Sequence, residues 1–203
     1  MYPTIQEYCD LAKAQFSSIS QERKAILAKI ASYIQGQKDR EAPIQLMYVC
    51  THNSRRSHFG QVWAAVAAHY YNVPKVQSYS GGTEATAFNI HAINALKRIG
   101  FQVMVDTQPS NPHYTVRFSD EQSTLCFSKR YDDPTNPQSD FAAIMTCGDA
   151  EENCPLIPGV LLRIATTYQD PKAFDHTILQ DYKYSERCLQ IAMETLYTFS
   201  LVE

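Results

Sequence analysis

Short apolar segments alternate with longer segments of helical periodicity over most of the chain, and this alternation restricts the possible folds strongly. Strands are predicted over 44–49, 75–79, 141–146 and 161–165, and helices over 59–71, 85–99 and 180–201. Strands that alternate with helices form a parallel sheet covered on both faces, with ligands bound at the carboxyl ends of the strands. The pattern therefore predicts an α/β fold of three layers, in which about four parallel strands lie between helices.

An amino-terminal extension precedes this pattern. Residues 1–43 carry apolar groups at helical intervals, with a serine-rich break at 17–20, and this predicts two helices. A polar stretch that ends at Pro43 separates them from the first strand. We therefore divide the chain into a helical extension over 1–43 and a main domain over 44–203.

A second irregular segment interrupts the main domain. Between 106 and 139, alternating apolar and polar residues at 114–118 and 125–131 flank a polar turn, and this predicts an inserted hairpin. A hairpin at this place can act as a lid over a site, or it can simply cover the core or an edge of the sheet. The sequence leaves both roles open.

Composition and charge narrow the classes of function. The 203 residues are 44% hydrophobic and 19% charged, a composition that builds a packed core and excludes a disordered chain. The formal net charge of -3 gives no overall positive field, so we expect binding neither to nucleic acid nor to a membrane surface. Any anion must be bound by a local site. The first twenty residues contain no apolar stretch of signal-peptide length, so a cytoplasmic location is expected.

Six cysteines must be interpreted from their local settings. The sequence has no C-x-x-C pair and no cysteine or histidine cluster with zinc spacing, so no metal site is predicted. A reducing compartment and a chain long enough to build a core argue against a disulfide framework. Cys9, Cys126 and Cys188 fall in a predicted helix, the hairpin and another helix, and we interpret them as buried or incidental thiols without a role.

The loop between the first predicted strand and the next helix carries the most specific motif. Its sequence is Cys50-Thr51-His52-Asn53-Ser54-Arg55-Arg56-Ser57, a cysteine followed by five residues, an arginine and a serine. Eight residues in this position can curl so that successive N–H groups face inward, forming a nest for a tetrahedral oxyanion beside a helix N-terminus. The same positive environment favours the Cys50 thiolate and makes it a nucleophile near neutral pH.

Two side chains of the loop complete this chemistry. The guanidinium group of Arg56 offers a planar pair of donors to two oxyanion oxygens and compensates charge in the transition state. The hydroxyl of Ser57 can donate to the sulfur of Cys50. The alternative is a small buried cysteine at a strand end, with solvated arginines beside it.

The motif and its flanks resemble the phosphate-binding loop of the low-molecular-weight protein tyrosine phosphatase superfamily, and the resemblance covers about 44–203. Family members also have a Ser/Gly turn after the second strand, here Ser80-Gly81-Gly82, and an Asp-Pro loop late in the chain. The resemblance implies a phosphatase-like fold, an oxyanion bound by residues 51–56, and support of the loop by Asn53 and Ser80. Two residues depart from the family pattern, because His52 stands where glycine is usual and Arg55 where a second cysteine is frequent. We expect the Arg55 side chain to face solvent.

Two histidines flank the loop. His52 and His58 are candidates for tuning its electric field, and the alternative for each is an exposed or hydrogen-bonded structural histidine.

The segment 145–155 is similar to the redox loop of the thioredoxin-coupled arsenate reductases, which have the phosphatase fold and carry two cysteines at this spacing followed by proline. Here these residues are Cys147, Cys154 and Pro155. The resemblance implies that Cys50 attacks arsenate, that Cys147 and then Cys154 resolve the intermediate, and that thioredoxin supplies reducing equivalents without a tightly bound cofactor. The alternative is a buried thiol at a strand end beside an inert loop thiol.

A general acid and a cation are also implied by the family. Asp170-Pro171 resembles the acid loop and follows the fourth strand, whereas the competing Asp133-Pro134 belongs to the insertion. A solvated turn aspartate is the alternative for either. Some family members hold potassium near the loop through Asn, Glu, Ser and Asp side chains. Gln61 stands where the glutamate is expected, which argues against a potassium site.

Three functions remain open from the sequence. The first is arsenate reduction, for which the pair of cysteines argues. The second is a phosphomonoester phosphatase that uses Cys50, Arg56 and Asp170, and an aromatic-lined groove beside the loop would favour it. The third is an inactive module that binds an oxyanion or a phosphopeptide, and an occluded Cys50 would favour it.

Overall fold

The computed structural model describes residues 1–106, 110–153 and 157–203. The strands of this part are β1 (Ile44–Cys50), β2 (Val76–Gly82), β3 (Gln102–Val105), β4 (Tyr114–Arg117), β5 (Ser123–Cys126), β6 (Phe141–Met145) and β7 (Val160–Ala165). The α-helices are α1 (Pro3–Lys13), α2 (Gln21–Asp39), α3 (Arg56–Tyr70), α4 (Ile90–Ile99), α5 (Gly148–Asn153) and α6 (Gln180–Ser200). Single 3₁₀ turns lie at Phe16–Ser18 and Pro171–Phe174.

The main sheet has four parallel strands in the order β2-β1-β6-β7 among the residues described. β1 is central and nearly completely buried, as expected of a strand covered on both faces. Its last residue, Cys50, pairs with Gly82 of β2, and the preceding Val49 pairs with Met145 of β6. The predicted three-layer α/β fold is therefore confirmed. The carboxyl ends of three strands meet at Cys50, where such folds bind ligands.

One predicted helix begins later than its sequence pattern indicates. A helix is predicted from residue 85, but α4 begins at Ile90 because Asn89 caps it, accepting hydrogen bonds from the N–H groups of His91 and Ala92. Residues 85–88 form no helical turn and instead contact the Cys50 loop. Thr86 Oγ1 donates to the His52 carbonyl, and this tertiary contact outweighs local helix propensity.

The amino-terminal helices share the core of the main sheet. Ile5 and Cys9 of α1, and Leu27 and Ile34 of α2, are buried in the same cluster as residues of β1 and α3. Ser20 caps α2 by accepting from the Arg23 N–H. The division of the chain after residue 43 stays a prediction.

The inserted segment forms part of a second, antiparallel sheet of order β3-β4-β5 in the described chain. β4 and β5 form the predicted hairpin, and β3, which the sequence pattern missed, pairs with β4. Val116, Phe118 and Cys126 of this region are buried in the main core. Of the two roles that the sequence leaves open, these contacts favour covering the core.

Among the described residues, no helix combines the length and the apolar character needed to cross a bilayer.

Candidate active site

Cys50 ends β1 and lies at the start of the loop that leads into α3. It is 3% exposed, and its sulfur lies 3.1 Å from the Ser57 hydroxyl oxygen. Asn53 Nδ2 donates to the same hydroxyl oxygen over 2.9 Å, so the Ser57 proton is available for the sulfur. A donor at this distance stabilises negative charge on the sulfur.

The loop turns its carbonyl groups outward. Four of its carbonyl oxygens, those of Cys50, Thr51, His52 and Ser54, accept hydrogen bonds from donors outside the loop, namely Thr83 N–H, Glu84 N–H, Ser128 Oγ and Asn89 N–H. Within the described part of the chain, the N–H groups of residues 51–55 donate to no protein acceptor. These N–H groups are the components of an anion nest at the N-terminus of α3.

The loop geometry depends on two residues with special backbone requirements. Asn53 has a φ of 44°, in the left-handed region that asparagine tolerates, and its Oδ1 accepts from the Lys129 N–H over 2.8 Å. Gly82 lies against the loop so closely that a Cβ atom there would be 2.7 Å from the Asn53 nitrogen and 2.4 Å from the Glu84 carbonyl oxygen. Glycine is required at this close approach.

Arg56, at the start of α3, reaches the predicted acid. Its Nη2 donates to Asp170 Oδ2 over 2.6 Å, and its Nη1 donates to the Tyr168 carbonyl over 2.8 Å. The buried Nε has no hydrogen-bond partner among the described residues, so this donor is available to an oxyanion. The structure brings Arg56 and Asp170 together at the loop.

The competing aspartate lies elsewhere. Asp133 Oδ1 accepts from the N–H and the hydroxyl of Thr135, so this carboxylate stabilises a turn of the insertion. Asp170 in turn accepts from the Lys172 N–H and caps the 3₁₀ turn that follows. Of the two Asp-Pro candidates, the one beside the loop arginine is Asp170.

The expectation that Arg55 faces solvent is wrong. Its side chain is only 11% exposed, and its Nε donates to the hydroxyl oxygen of Tyr184 on α6 over 2.8 Å. The guanidinium group also lies within ion-pair distance of Asp170 and Asp175. These carboxylates are far away in sequence, and their charge draws the arginine toward the protein.

Cys147 follows β6 and is 1% exposed. Its sulfur lies 3.4 Å from Thr51 Oγ1 and accepts a hydrogen bond from the Ala150 N–H in α5. Cys50 and Cys147 belong to one buried cluster that contains residues of both β1 and β6. Two of the three predicted relay thiols are thus neighbours of the same loop. The third, Cys154, lies outside the described residues.

Ser80, predicted to support the loop, forms its side-chain contacts with α3, the helix that follows the loop. Its hydroxyl donates to Gln61 Oε1 over 2.6 Å and lies 3.2 Å from His58 Nδ1. The Gln61 amide donates in turn to Thr124 Oγ1 and the Leu125 carbonyl of β5. This buried polar network joins β2, α3 and the hairpin, so Ser80 reaches the loop only through α3.

The same contacts decide whether potassium fits. The Gln61 carbonyl oxygen accepts from Ser80 and the Asn53 carbonyl oxygen from the Lys129 N–H. An alkali cation needs several free oxygen ligands. Each of these oxygens already accepts one hydrogen bond, and Gln61 brings no negative charge where a carboxylate is expected, so the residues present are poor ligands for potassium. Among the described residues, no cluster of three His, Cys, Asp or Glu side chains could hold a metal ion.

The two histidines beside the loop have different environments. Burial, together with the positive charge of Lys129, lowers the pKa of His58 to about 3, so this ring is neutral and stacks on Phe88. His52 is partly exposed, with Nε2 3.7 Å from Glu84 Oε2. These contacts make His58 a core residue.

The remaining cysteines are held as thiols. Burial raises the pKa of Cys9, Cys126 and Cys188 to about 12 each. Thiols that stay protonated are poor nucleophiles. They serve as packing residues in the described structure.

No sequence motif identifies several residues that contact the site. Tyr184 and Asp175 contact Arg55, and Tyr168 binds Arg56 through its backbone carbonyl. Tyr168 and Asp175 lie two residues before and five residues after Asp170, whereas Tyr184 lies near no residue already singled out. The tyrosines are indistinguishable in sequence from core aromatic residues.

The chain is similar in sequence to arsenate reductases. It is 28% identical to "Arsenate reductase 2" of Staphylococcus epidermidis over 126 residues, which are 62% of this chain and 77% of the relative. It is 25% identical to the arsenate reductase of Bacillus subtilis over 142 residues, which are 70% of this chain and 84% of the relative. No family model matches the chain.

Comparison with solved structures supports the fold. An arsenate reductase in its phosphate-binding state superposes with a TM-score of 0.53 and 15% identity, over 79% of this chain and 99% of that protein. At this identity the likeness concerns the fold.

Proposed function

Because the chain is a member of the low-molecular-weight phosphatase superfamily, on the branch of the arsenate reductases, we propose that it reduces arsenate to arsenite by a thiol relay. Cys50 is the nucleophile, and Cys147 and then Cys154 are the resolving thiols. The contact between Thr51 Oγ1 and Cys147 Sγ carries this proposal, because it puts a second thiol beside the residue that follows the nucleophile. A phosphatase reaction needs no such thiol.

In the first step the Cys50 thiolate attacks arsenic(V) in arsenate bound by the loop N–H groups and Arg56. An S–As bond forms, an As–O bond breaks, and Asp170 protonates the departing oxygen, which leaves as water. The incoming dianion competes with Asp170 for Arg56, whose Nη2 now donates to that carboxylate.

In the second step the Cys147 thiolate attacks the Cys50 sulfur. An S–S bond forms, the S–As bond breaks, and its electron pair stays with arsenic, which leaves as arsenite. Two electrons thus pass from two thiols to arsenic. Both cysteines belong to one buried cluster, which supports an encounter between their sulfurs.

In the last step Cys154 attacks the Cys147 sulfur, forming a Cys147–Cys154 disulfide and releasing the Cys50 thiol. Reduction by the dithiol of thioredoxin then restores both cysteines and oxidises thioredoxin. The protein needs no tightly bound cofactor for this sequence.

One observation keeps a binding module as a second candidate. Cys50 is 3% exposed and Arg56 is paired with Asp170, so an oxyanion must break this ion pair to bind Arg56 beside the sulfur. A module that binds the oxyanion without turnover would show the same closed arrangement. A phosphatase that uses Cys50, Arg56 and Asp170 shares the first step with the reductase.

Arsenate-dependent oxidation of NADPH, with thioredoxin and thioredoxin reductase present, tests the proposal. We expect turnover by the wild type and by Cys126→Ser, which removes a buried thiol outside the relay. Cys50→Ser, Cys147→Ser and Cys154→Ser should each lose turnover. Mass spectrometry of non-reduced digests should find a Cys50–Cys147 disulfide in Cys154→Ser after one exposure to arsenate.

Three results would contradict the relay. Wild-type turnover by Cys154→Ser, with Cys50→Ser inactive, would eliminate the third thiol. Efficient aryl phosphate hydrolysis that is indifferent to Cys147 and Cys154 would select the phosphatase. Tight arsenate binding without any turnover would select the binding module.

A further inference from the structure

Arg55 contacts both ends of the 3₁₀ turn that follows Asp170. At one end its Nε lies 3.9 Å from Asp170 Oδ1, and at the other its Nη2 lies 3.6 Å from Asp175 Oδ2. The turn between them, Pro171–Phe174, is four residues long. One guanidinium group of the Cys50 loop therefore contacts both ends of the acid loop.

Tyr184 fixes this guanidinium group in place. Its hydroxyl oxygen accepts from Arg55 Nε over 2.8 Å, and its proton is donated to Asp175 Oδ1 over 2.8 Å. The tyrosine is fully buried on α6, and burial raises its pKa to about 12, so the hydroxyl keeps its proton. Two hydrogen bonds and one ion pair thus join Arg55, Tyr184 and Asp175 into a closed set attached to a core helix.

We propose that Arg55 is a positioning residue for Asp170, keeping the acid at the reacting centre while Arg56 binds the oxyanion. This inference rests on the proposed function, in which Asp170 protonates the leaving oxygen. It extends that function by giving the two adjacent arginines separate tasks.

Competition for Arg56 is the reason that such a residue is needed. The strongest contact of Asp170 is its 2.6 Å bond to Arg56, and an oxyanion that takes over Arg56 removes that bond. Repulsion by the oxyanion would then push the carboxylate away. Arg55 faces the other oxygen of Asp170 and is anchored by Tyr184 and Asp175, so the loop stays in place when Arg56 changes partner.

We expect weak hydrolysis of aryl phosphates, because that reaction shares the loop, the nucleophile and the acid with arsenate reduction. Aryl phosphates with different leaving groups test the proposal, because protonation matters most for a basic leaving group. Arg55→Met should lower kcat/KM about tenfold for phenyl phosphate and less than about twofold for 4-nitrophenyl phosphate. Arg55→Lys keeps the charge without the planar fork, so its kcat/KM values should lie between those of the wild type and of Arg55→Met. Tyr184→Phe breaks the link to Asp175. It should lower kcat/KM for both substrates in the same pattern as Arg55→Met, but by smaller factors.

Arsenate turnover and phosphate inhibition provide the second readout. Arg55→Met should lower arsenate-dependent kcat/KM about tenfold and leave the inhibition constant of inorganic phosphate within about twofold, since Arg56 and the loop N–H groups remain. A thermal unfolding midpoint near the wild-type value excludes misfolding. A parallel loss of phosphate binding, an equal loss for all leaving groups, or no loss would overturn the proposal.

Asp170→Asn separates failure of this inference from failure of the proposed function. If Asp170→Asn shows the steep leaving-group dependence and Arg55→Met does not, Asp170 is the acid and Arg55 does not position it. If Asp170→Asn shows no such dependence and no loss of arsenate turnover, the acid itself has been misassigned.

Discussion

The Ser57 hydroxyl oxygen lies 3.1 Å from the Cys50 sulfur and at the same time accepts a hydrogen bond from Asn53. Because Asn53 occupies a lone pair of that oxygen, the Ser57 proton is directed toward the sulfur. Asn53 is itself oriented by the Lys129 N–H of the inserted segment. The environment of the Cys50 sulfur therefore depends on its own loop and on one distant part of the chain, the inserted segment.

Ser57→Ala should make Cys50 less reactive, since it removes the neutral donor that stabilises the thiolate. We expect the rate of Cys50 alkylation by iodoacetamide at pH 7 to fall about tenfold, equivalent to one hydrogen bond of about 1.4 kcal/mol. Mass spectrometry of timed samples measures this rate. The control is Ser54→Ala, whose hydroxyl donates to the Ala87 carbonyl rather than to the sulfur. Equal rates in the two variants would contradict the role of Ser57.

The main sheet could be predicted because its signals are local. Short apolar runs such as the one that becomes β1 stand out from their polar flanks, and the Cys50 loop follows directly. β3 gave no such signal, because its residues are mostly exposed and its strand conformation comes from pairing with β4. Asn89 carried a capping signal, but the alanine-rich residues before it resembled a helix.

The Cys50 loop could be predicted from its motif, but the partners of its arginines could not. Arg55 meets Tyr184 across 129 positions of sequence, and Arg56 meets Asp170 across 114. The Asp-Pro motif identified Asp170 as a candidate through family resemblance. Nothing local marks Tyr184, so the arginine that the sequence suggested to be solvated proved to be mostly covered, with 11% of its side chain exposed.

Gly82→Ala should damage the loop, because the new Cβ would lie within 2.7 Å of the backbone of Asn53 and Thr51. We expect a loss of about 2 kcal/mol in the free energy of unfolding and at least a tenfold weaker inhibition by phosphate. Gly36→Ala is the matched control, since nothing lies within 4 Å of that position in α2. It should increase stability by about 0.5–1 kcal/mol. Chemical denaturation measures the free energy of unfolding of both variants. An unchanged value for Gly82→Ala would show that the close approach does not require glycine.

Arg23→Met should uncouple the amino-terminal helices from the segment that leads to Asp170. Arg23 of α2 donates to Glu194 on α6 and to the Thr166 carbonyl, and Tyr168 donates to the same carboxylate. Losing the arginine leaves a buried carboxylate unpaired, which should cost about 3 kcal/mol in the free energy of unfolding. Urea denaturation measures this, with the exposed Lys29→Met as control. A loss equal to that of the control would show that the ion pair contributes no net stability.

His58→Asn should flatten the acid side of the stability profile. Because burial lowers the pKa of His58 from 6.5 to about 3, the unfolded chain takes up a proton that the folded chain refuses. The histidine therefore makes the free energy of unfolding fall as pH drops from about 6.5 toward 3. Asparagine does not titrate, so between pH 7 and pH 5 the wild type should lose about 2 kcal/mol more than the variant. Loss of the stacking on Phe88 should lower the free energy of unfolding of the variant at every pH. The comparison therefore uses the slopes of the free energy against pH, taken from denaturation series. Parallel slopes would mean that His58 is protonated in the folded protein.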